Sequence, residues 1–399
     1  MKRTYEHVVI GAGALGAAAA YRLAAAGHRD VLVLEQYELG HGRGASEDHS
    51  RIIRHAYHSP AYTALTPSAY ECWTEIESLT GLQVVFRTGG LDLAVAGTPG
   101  AVELDAYEAS LAPLAASGVT WSRLSGAEVR ARWPQWRVGD DVVGLYQPDG
   151  GILDIRRATA AHIALARGLG VEFAPSTPVT ALSSSADGVT VTLGSGSVVS
   201  AGSVVLCAAS WTPSLLASLG VDLRIRLSQE QVSYFATPHL RAFAPDRFPM
   251  WIWHGEEFFY GFPVYGEVAV KAARDLTGRY VTQATRSTAP DPAETSLVLD
   301  FLRERLPDAV GPELLTKTCV YDLPPDREFI IDHVPGHPRI VTAVGGGHAG
   351  KFASLIGRIL ADLATSGSTP YPIDAFRADR PAITDPSFVA THRLRGVTS

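Results

Sequence analysis

The 399-residue sequence predicts an α/β protein: a Rossmann-like dinucleotide-binding domain interleaved with an α+β domain built on an antiparallel sheet. Three observations lead there. The chain starts with a strand, a glycine turn, a helix and an acid-ended second strand. Strand signals of the same texture return around residues 202–210 and 339–351, and the stretches between them are rich in aromatics and alternating apolar residues.

The apolar run His7-Val8-Val9-Ile10 feeds Gly11-Ala12-Gly13-Ala14-Leu15-Gly16. Gly11, Gly13 and Gly16 permit a tight turn, close approach of the backbone to a pyrophosphate, and close helix–strand packing. The N-terminus of the following Ala-rich helix receives the phosphates. That helix stops near Gly27, and Asp30-Val31-Leu32-Val33-Leu34-Glu35 reads as the second strand, with Glu35 placed to accept from a ribose 2′-hydroxyl, which disfavours NADP. A glycine turn alone would suit any α/β protein. The full succession of strand, helix, strand and acid is what specifies a dinucleotide.

Composition excludes several classes. With 34 Lys and Arg against 41 Asp and Glu the net charge is −7, which offers no polyanion-binding surface and makes nucleic acid an unsuitable partner. No stretch is long and apolar enough to span a bilayer, and Met1–Glu6 lead straight into the first strand without room for a signal peptide, so a cytoplasmic location is expected. Cys72, Cys207 and Cys319 have no metal-ligand or CxxC spacing, so no metal site and no disulfide framework are expected.

Further along, Gly202–Ser210 reads as a buried strand ending in small residues. Arg339–Val344 reads as another, running into Gly345-Gly346-Gly347-His348-Ala349-Gly350-Lys351 and a helix over Phe352–Leu363. Gln231–Phe235 and Phe258–Pro263 suit an antiparallel sheet. The expected division is a discontinuous nucleotide domain over 1–83, 148–224 and 318–385, a substrate domain over 84–147 and 225–317, and a tail over 386–399. The end after about Asp374 is expected to be loosely attached. Lys351, in the first turn of a late helix, is a positive end suited to charge on a reduced flavin, which NAD would not need.

These pieces, with Ser50-Arg51-Ile52-Ile53-Arg54-His55-Ala56-Tyr57, Phe259-Tyr260-Gly261-Phe262-Pro263, Cys319-Val320-Tyr321, Pro325–Asp332 and Gly347–Phe352, run through nearly the whole chain. Together they resemble the monomeric sarcosine oxidase and N-methyltryptophan oxidase family of D-amino-acid oxidase-like, FAD-dependent amine oxidases. The resemblance implies FAD, held by Gly11, Gly13, Gly16, Glu35, Ser50, Arg51, Val179, Gly347 and Lys351 and attached through a thioether at Cys319. It implies Arg54 and Lys351 as the pair that binds a substrate carboxylate, an arrangement that would orient the substrate carbon for hydride transfer to flavin N5. Lys271 matches the lysine that promotes reaction of reduced flavin with oxygen, where a cation stabilises developing superoxide. His348, Tyr260 and Tyr321 fall at pocket positions.

The sequence departs from the sarcosine-oxidase pattern four residues after Lys271, where those enzymes carry a histidine and this chain has Asp275. A carboxylate there would prefer a cationic amine or iminium. Trp251, in a run with Trp253 and His254, is expected to line the pocket and to favour a flat ring or a small substrate. The expectation is therefore a monomeric oxidase of a secondary or cyclic amino acid that releases H2O2 from O2. A specialised-metabolism oxidase that desaturates a cyclic imino acid, as in the family's member from nikkomycin biosynthesis, and a dehydrogenase passing electrons to another acceptor stay open.

Overall fold

A computed structural model describes residues 1–276 and 278–392. Its nucleotide-binding sheet has a parallel centre in the spatial order Glu172–Ala174, Val31–Leu34, Thr4–Ile10, Val198–Leu206, His337–Val344. These strands are apolar runs because helices cover the sheet, among them Ala14–Ala25, Ile155–Gly168 and Ala353–Ser366. The antiparallel hairpin Val179–Ser184 and Val189–Leu193 extends it from the N-terminal half of Val198–Leu206.

The second sheet is antiparallel at every pairing except one. Met250–His254 runs parallel to Gly90–Val95, and this contact joins the two separate chain segments, since the first strand comes from the later piece and the second from the earlier. The long strand Arg226–Phe235 pairs on one side with Glu313–Leu323 and on the other with Val270–Asp275 and Arg279–Val281. Glu313–Leu323 runs across residue 318 and stays in this sheet over its whole length. A small third sheet, Ser50–Ile53 with Gly151–Asp154 and Val85–Phe86, carries Ser50 and Arg51 between the two large ones.

The end after Asp374 is not loosely attached. Phe376 is fully buried against Tyr62 and Phe329, Ala378 and Ile383 are buried in the nucleotide-domain core, and Arg380 pairs with Asp326 at 2.6 Å. Its few apolar residues, spaced among prolines and charges, lack the periodicity that marks a core element, yet each fills a slot in a core built elsewhere. Residues 393–399 of the expected tail lie outside the described residues.

Candidate active site

A cavity of about 1190 Å³ runs from the glycine turn to the inner face of the antiparallel sheet. At its nucleotide end the backbone makes the site. Gly11 has φ +98°, and a Cβ there would lie 2.4 Å from the Cys207 carbonyl oxygen; Gly16 lies beneath it, where a Cβ would meet the Gly11 oxygen at 1.9 Å. Gly16 thus supports the turn without lining the cavity, whereas Gly11 and Gly13 line it. The Ser46 hydroxyl already sits at the helix start, accepting from the Ala14 N–H at 2.8 Å, so an oxygen acceptor fits there as a phosphate would. Glu35 also lines the cavity and accepts from the Ala12 N–H at 2.9 Å and the Tyr37 N–H at 3.0 Å, tying the turn to the second strand. Val179, entering the hairpin, lines the same end. The cradle, the N–H donors at the helix start and the Glu35 carboxylate fit the ADP half of FAD.

At the other end side chains make the site. Tyr57 lies between two cations: the Arg54 guanidinium 5.4 Å from its ring centroid and the Lys351 ammonium 5.0 Å from it, with Lys351 Nζ also donating to the Tyr57 hydroxyl at 2.5 Å. Their electrostatic states differ. Burial opposes charge on Arg54, but the paired Asp92 carboxylate outweighs it and holds the guanidinium charged. Burial, then the nearby Arg54, push Lys351 well below its ordinary value, and among the described residues no carboxylate pairs with it. A buried amine whose charging lacks a paired carboxylate is a site that an incoming carboxylate satisfies. Arg54 Nε is likewise buried without a hydrogen-bond partner.

Lys271 sits on the strand Val270–Asp275 in register with Tyr234 on one neighbouring strand and Phe262 on the other, all on the inner face. Its ammonium contacts the Asp48 carboxylate at 2.6 Å and donates to Ser50 Oγ and the Ser50 carbonyl, both at 3.1 Å. Arg51 clamps the preceding loop by donating to the carbonyls of Ala45, Glu47 and Ser50, and it lines the cavity.

Cys319 and Tyr321 alternate inward along Glu313–Leu323, and burial pushes the Cys319 thiol up to about 12. Cys207 also lines the cavity, but at the glycine turn, and Cys72 lies in the helical core. Tyr260 and Tyr321 both line the cavity, and burial raises both phenols. Gly347, at φ +82°, lets the late glycine turn pass over Tyr321, whose ring a Cβ would meet at 2.5 Å. His348 stacks on Phe329 and is held neutral, its value lowered by burial and then by Lys351. Asp275 faces the cavity, but its carboxylate is engaged by Arg327 at 2.6 Å, so an amine there would share it.

Trp251 does not line the cavity, which corrects the sequence expectation. In Met250–His254 side chains alternate, so Ile252 and His254 face the cavity while Trp251 turns to the opposite face, fully buried against Trp136 and Phe301. The argument for a flat substrate from bulky indoles lapses with it. Sequence reasoning also passed over Asp48, Asp92, Tyr57, Tyr107 and Arg327. Asp92 had a signal, a lone acid inside the apolar strand Gly90–Val95, where a buried carboxylate demands a partner. That partner is Arg54, and His254 Nε2 joins at 2.9 Å.

A nucleotide cradle opening onto paired cations defines the class, an FAD-dependent oxidoreductase, and comparison with known proteins agrees. The family model for FAD dependent oxidoreductases matches residues 6–363. The chain is 34% identical to monomeric sarcosine oxidase of Streptomyces avermitilis, covering 94% of this chain and 97% of that protein. It is 31% identical to N-methyl-L-tryptophan oxidase of Escherichia coli O81, covering 94% and 99%. Among solved structures, NikD, described as an unusual amino acid oxidase essential for nikkomycin biosynthesis, superposes in its open form with a TM-score of 0.82 at 28% identity, covering 94% of this chain and 98% of that one. The chain belongs to the FAD-dependent oxidoreductase family and, within it, to the group of monomeric sarcosine oxidase and N-methyl-L-tryptophan oxidase.

Proposed function

We propose that this flavoenzyme oxidises a secondary amino acid, N-methyl or cyclic, to an imine and reduces O2 to H2O2. The observation that carries the reading is the pair Arg54 and Lys351 about Tyr57, with no carboxylate among the described residues paired to Lys351, at the far end of the cavity that begins at the glycine cradle. When bound, FAD supplies the hydride acceptor. Lys351 and the Arg54 fork fix the substrate carboxylate, and the inner faces of Tyr260, Tyr321 and Ile252 exclude water around the carbon next to nitrogen. His348, held neutral, adds no charge to that wall. An amine that binds neutral needs no side-chain base. Lys271 is the oxygen-side cation, and Cys319 is the attachment point of FAD, supported by its place beside Lys271 and Tyr321 rather than at the glycine turn.

The chain acts as a monomer, a reading supported by its monomeric sarcosine oxidase relative. No helix of the described residues is long and apolar enough to cross a membrane. Incubation in air with sarcosine, N-methyltryptophan, pipecolate, proline and piperideine-carboxylate, measuring peroxide, tests the reaction. Peroxide from at least one is expected. Anaerobic bleaching of the flavin without peroxide would instead identify a dehydrogenase. Acid precipitation tests the thioether: colour stays with the pellet if Cys319 holds FAD and enters the supernatant if it does not. Lys271→Met leaves flavin reduction by substrate largely intact and slows reoxidation, and equal losses in both half-reactions would remove Lys271 from the oxygen step.

A further inference from the structure

We propose that Asp48 is the positioning residue for Lys271: its buried carboxylate fixes the Lys271 ammonium against Ser50 and keeps it protonated. The inference rests on the reading of Lys271 as the oxygen-side cation, and it gives that cation a counter-ion from a different part of the chain.

Geometry carries it. Asp48 comes from the loop ahead of Ser50–Ile53 and reaches across to the antiparallel sheet, where Lys271 Nζ lies 2.6 Å from its carboxylate. Tyr234, the cross-strand neighbour of Lys271, donates its hydroxyl to the same carboxylate, so the acid is pinned to the sheet that carries the lysine. Both side chains are buried, with 6% of Asp48 and 4% of Lys271 accessible. Asp48 also has φ +84°, a left-handed conformation that a non-glycine residue adopts at an energetic cost. A buried acid held in a strained backbone by contacts on both sides is over-determined by its surroundings, as functional positions are.

The electrostatics have a definite sign. Burial pulls Lys271 down and Asp48 pushes it back up, leaving it at about 8, within reach of physiological pH. Burial raises Asp48, but Lys271, the Tyr234 hydroxyl and Arg51 outweigh it, so the carboxylate stays ionised well below its ordinary range. The other groups around the pair are Lys317, 3.6 Å from Asp48 and 3.4 Å from Glu47, Glu267 toward Tyr234, and Cys319 toward Lys271. Among the described residues Asp48 is the carboxylate that touches the Lys271 ammonium. Without it, burial and Arg51 would pull Lys271 further down, toward the neutral amine, which cannot stabilise developing superoxide.

The chain has only four lysines, Lys2, Lys271, Lys317 and Lys351, so protein labelled with 13C at the lysine ε-carbon gives four signals whose pH titrations resolve. Lys271→Met and Lys317→Arg assign them in the FAD-loaded protein. In the parent protein the Lys271 signal titrates near about 8. In Asp48→Asn its midpoint moves down by about one pH unit or more, the loss expected when an opposite charge within 4 Å is removed. Asn tolerates the left-handed backbone, and Asp48→Gly, which relieves it, serves as a second variant with the same expected shift. An unchanged Lys271 titration in both variants overturns the proposal. In stopped flow, the reoxidation rate falls as pH rises through the Lys271 midpoint, and in Asp48→Asn that fall moves to lower pH in step with the NMR midpoint, while reduction by substrate keeps its parent pH profile. An NMR midpoint that moves while reoxidation does not would uphold the Asp48–Lys271 coupling and overturn the oxygen role of Lys271, so the two failures are distinguishable.

Discussion

The two ends of the cavity are built by different means. At the glycine turn the site is backbone: Gly11 and Gly13, the N–H groups at the helix start and Glu35 all come from one contiguous run, and side-chain volume is excluded. At the far end the site is side chains, brought by the loop before Ser50–Ile53, by Gly90–Val95, by three strands of the antiparallel sheet and by the late glycine turn. The first end tolerates almost no added atom. The second tolerates changes of shape but not of charge, because Arg54, Asp92, Lys271, Asp48 and Lys351 are all buried. A cradle for a constant group can be written in backbone, whereas a site for a particular substrate needs charges whose partners are chosen one by one.

Breaking a charge at the second end has the largest expected effect. Arg54→Met takes the guanidinium from Asp92, which is fully buried and keeps His254 as a partner, and costs about 3 kcal/mol of stability. Thermal unfolding measures it, and adding Asp92→Asn to the same chain recovers part of the loss. If Asp92→Asn recovered nothing, the pair would not be what holds this end. At the first end, Gly16→Val forces a Cβ to within 1.9 Å of the Gly11 oxygen and costs about 3 kcal/mol, with FAD lost on gel filtration.

Lys351→Met sharpens the contrast between function and stability. It removes a charge-assisted contact worth about 1.5–3 kcal/mol, so kcat/KM for a carboxylate substrate falls on the order of 10- to 150-fold. Thermal stability stays level or rises, because a buried amine whose charging is opposed by burial and Arg54 gives way to an apolar side chain. An equal loss toward an amine that lacks a carboxylate would detach Lys351 from carboxylate binding. Trp251→Phe costs about 1–3 kcal/mol through lost packing on the outer face of the sheet and leaves the ranking of substrates unchanged, while Ile252→Phe, one residue along on the inner face, changes that ranking.

The smallest effect is a proton count. Lys351 lies well below its ordinary value in the free protein, from burial and then Arg54, and an arriving carboxylate raises it. Binding of a carboxylate inhibitor in weak buffer therefore takes up protons, and Lys351→Met abolishes the uptake. Release of protons on binding would reverse the sign and the argument.

Trp251 and Asp92 show why the far end was only partly legible. A run such as Met250-Trp251-Ile252-Trp253-His254 reads equally well with either set of alternate residues inward, and a slip of one exchanges them. Only the helix Pro292–Arg305 lying on the outer face, with Phe301 against Trp251, decides it. Asp92 announces a need for a cation without saying which of thirty arginines meets it. Asp48 lies two residues before Ser50, inside a segment that already carried assigned residues, and nothing local marks it as the partner of a lysine more than two hundred positions away.

By itself the sequence determined the nucleotide end, because strand, turn, helix and acid are linked by short-range geometry: a glycine is needed where the backbone must turn left or approach another backbone, whatever the rest of the chain does. It also drew attention to a set of ionisable residues, Arg54, Lys271, Cys319 and Lys351 in stretches that resemble the family and Asp275 where the chain departs from it. Only the tertiary structure decided how those charges are partnered: Arg54 with Asp92, Lys271 with Asp48, Asp275 with Arg327, and Lys351 with none among the described residues. The reason is that the strength of a charge in a protein interior is set by burial and by the nearest opposite charge, and both are properties of residues that are close in space and far apart along the chain.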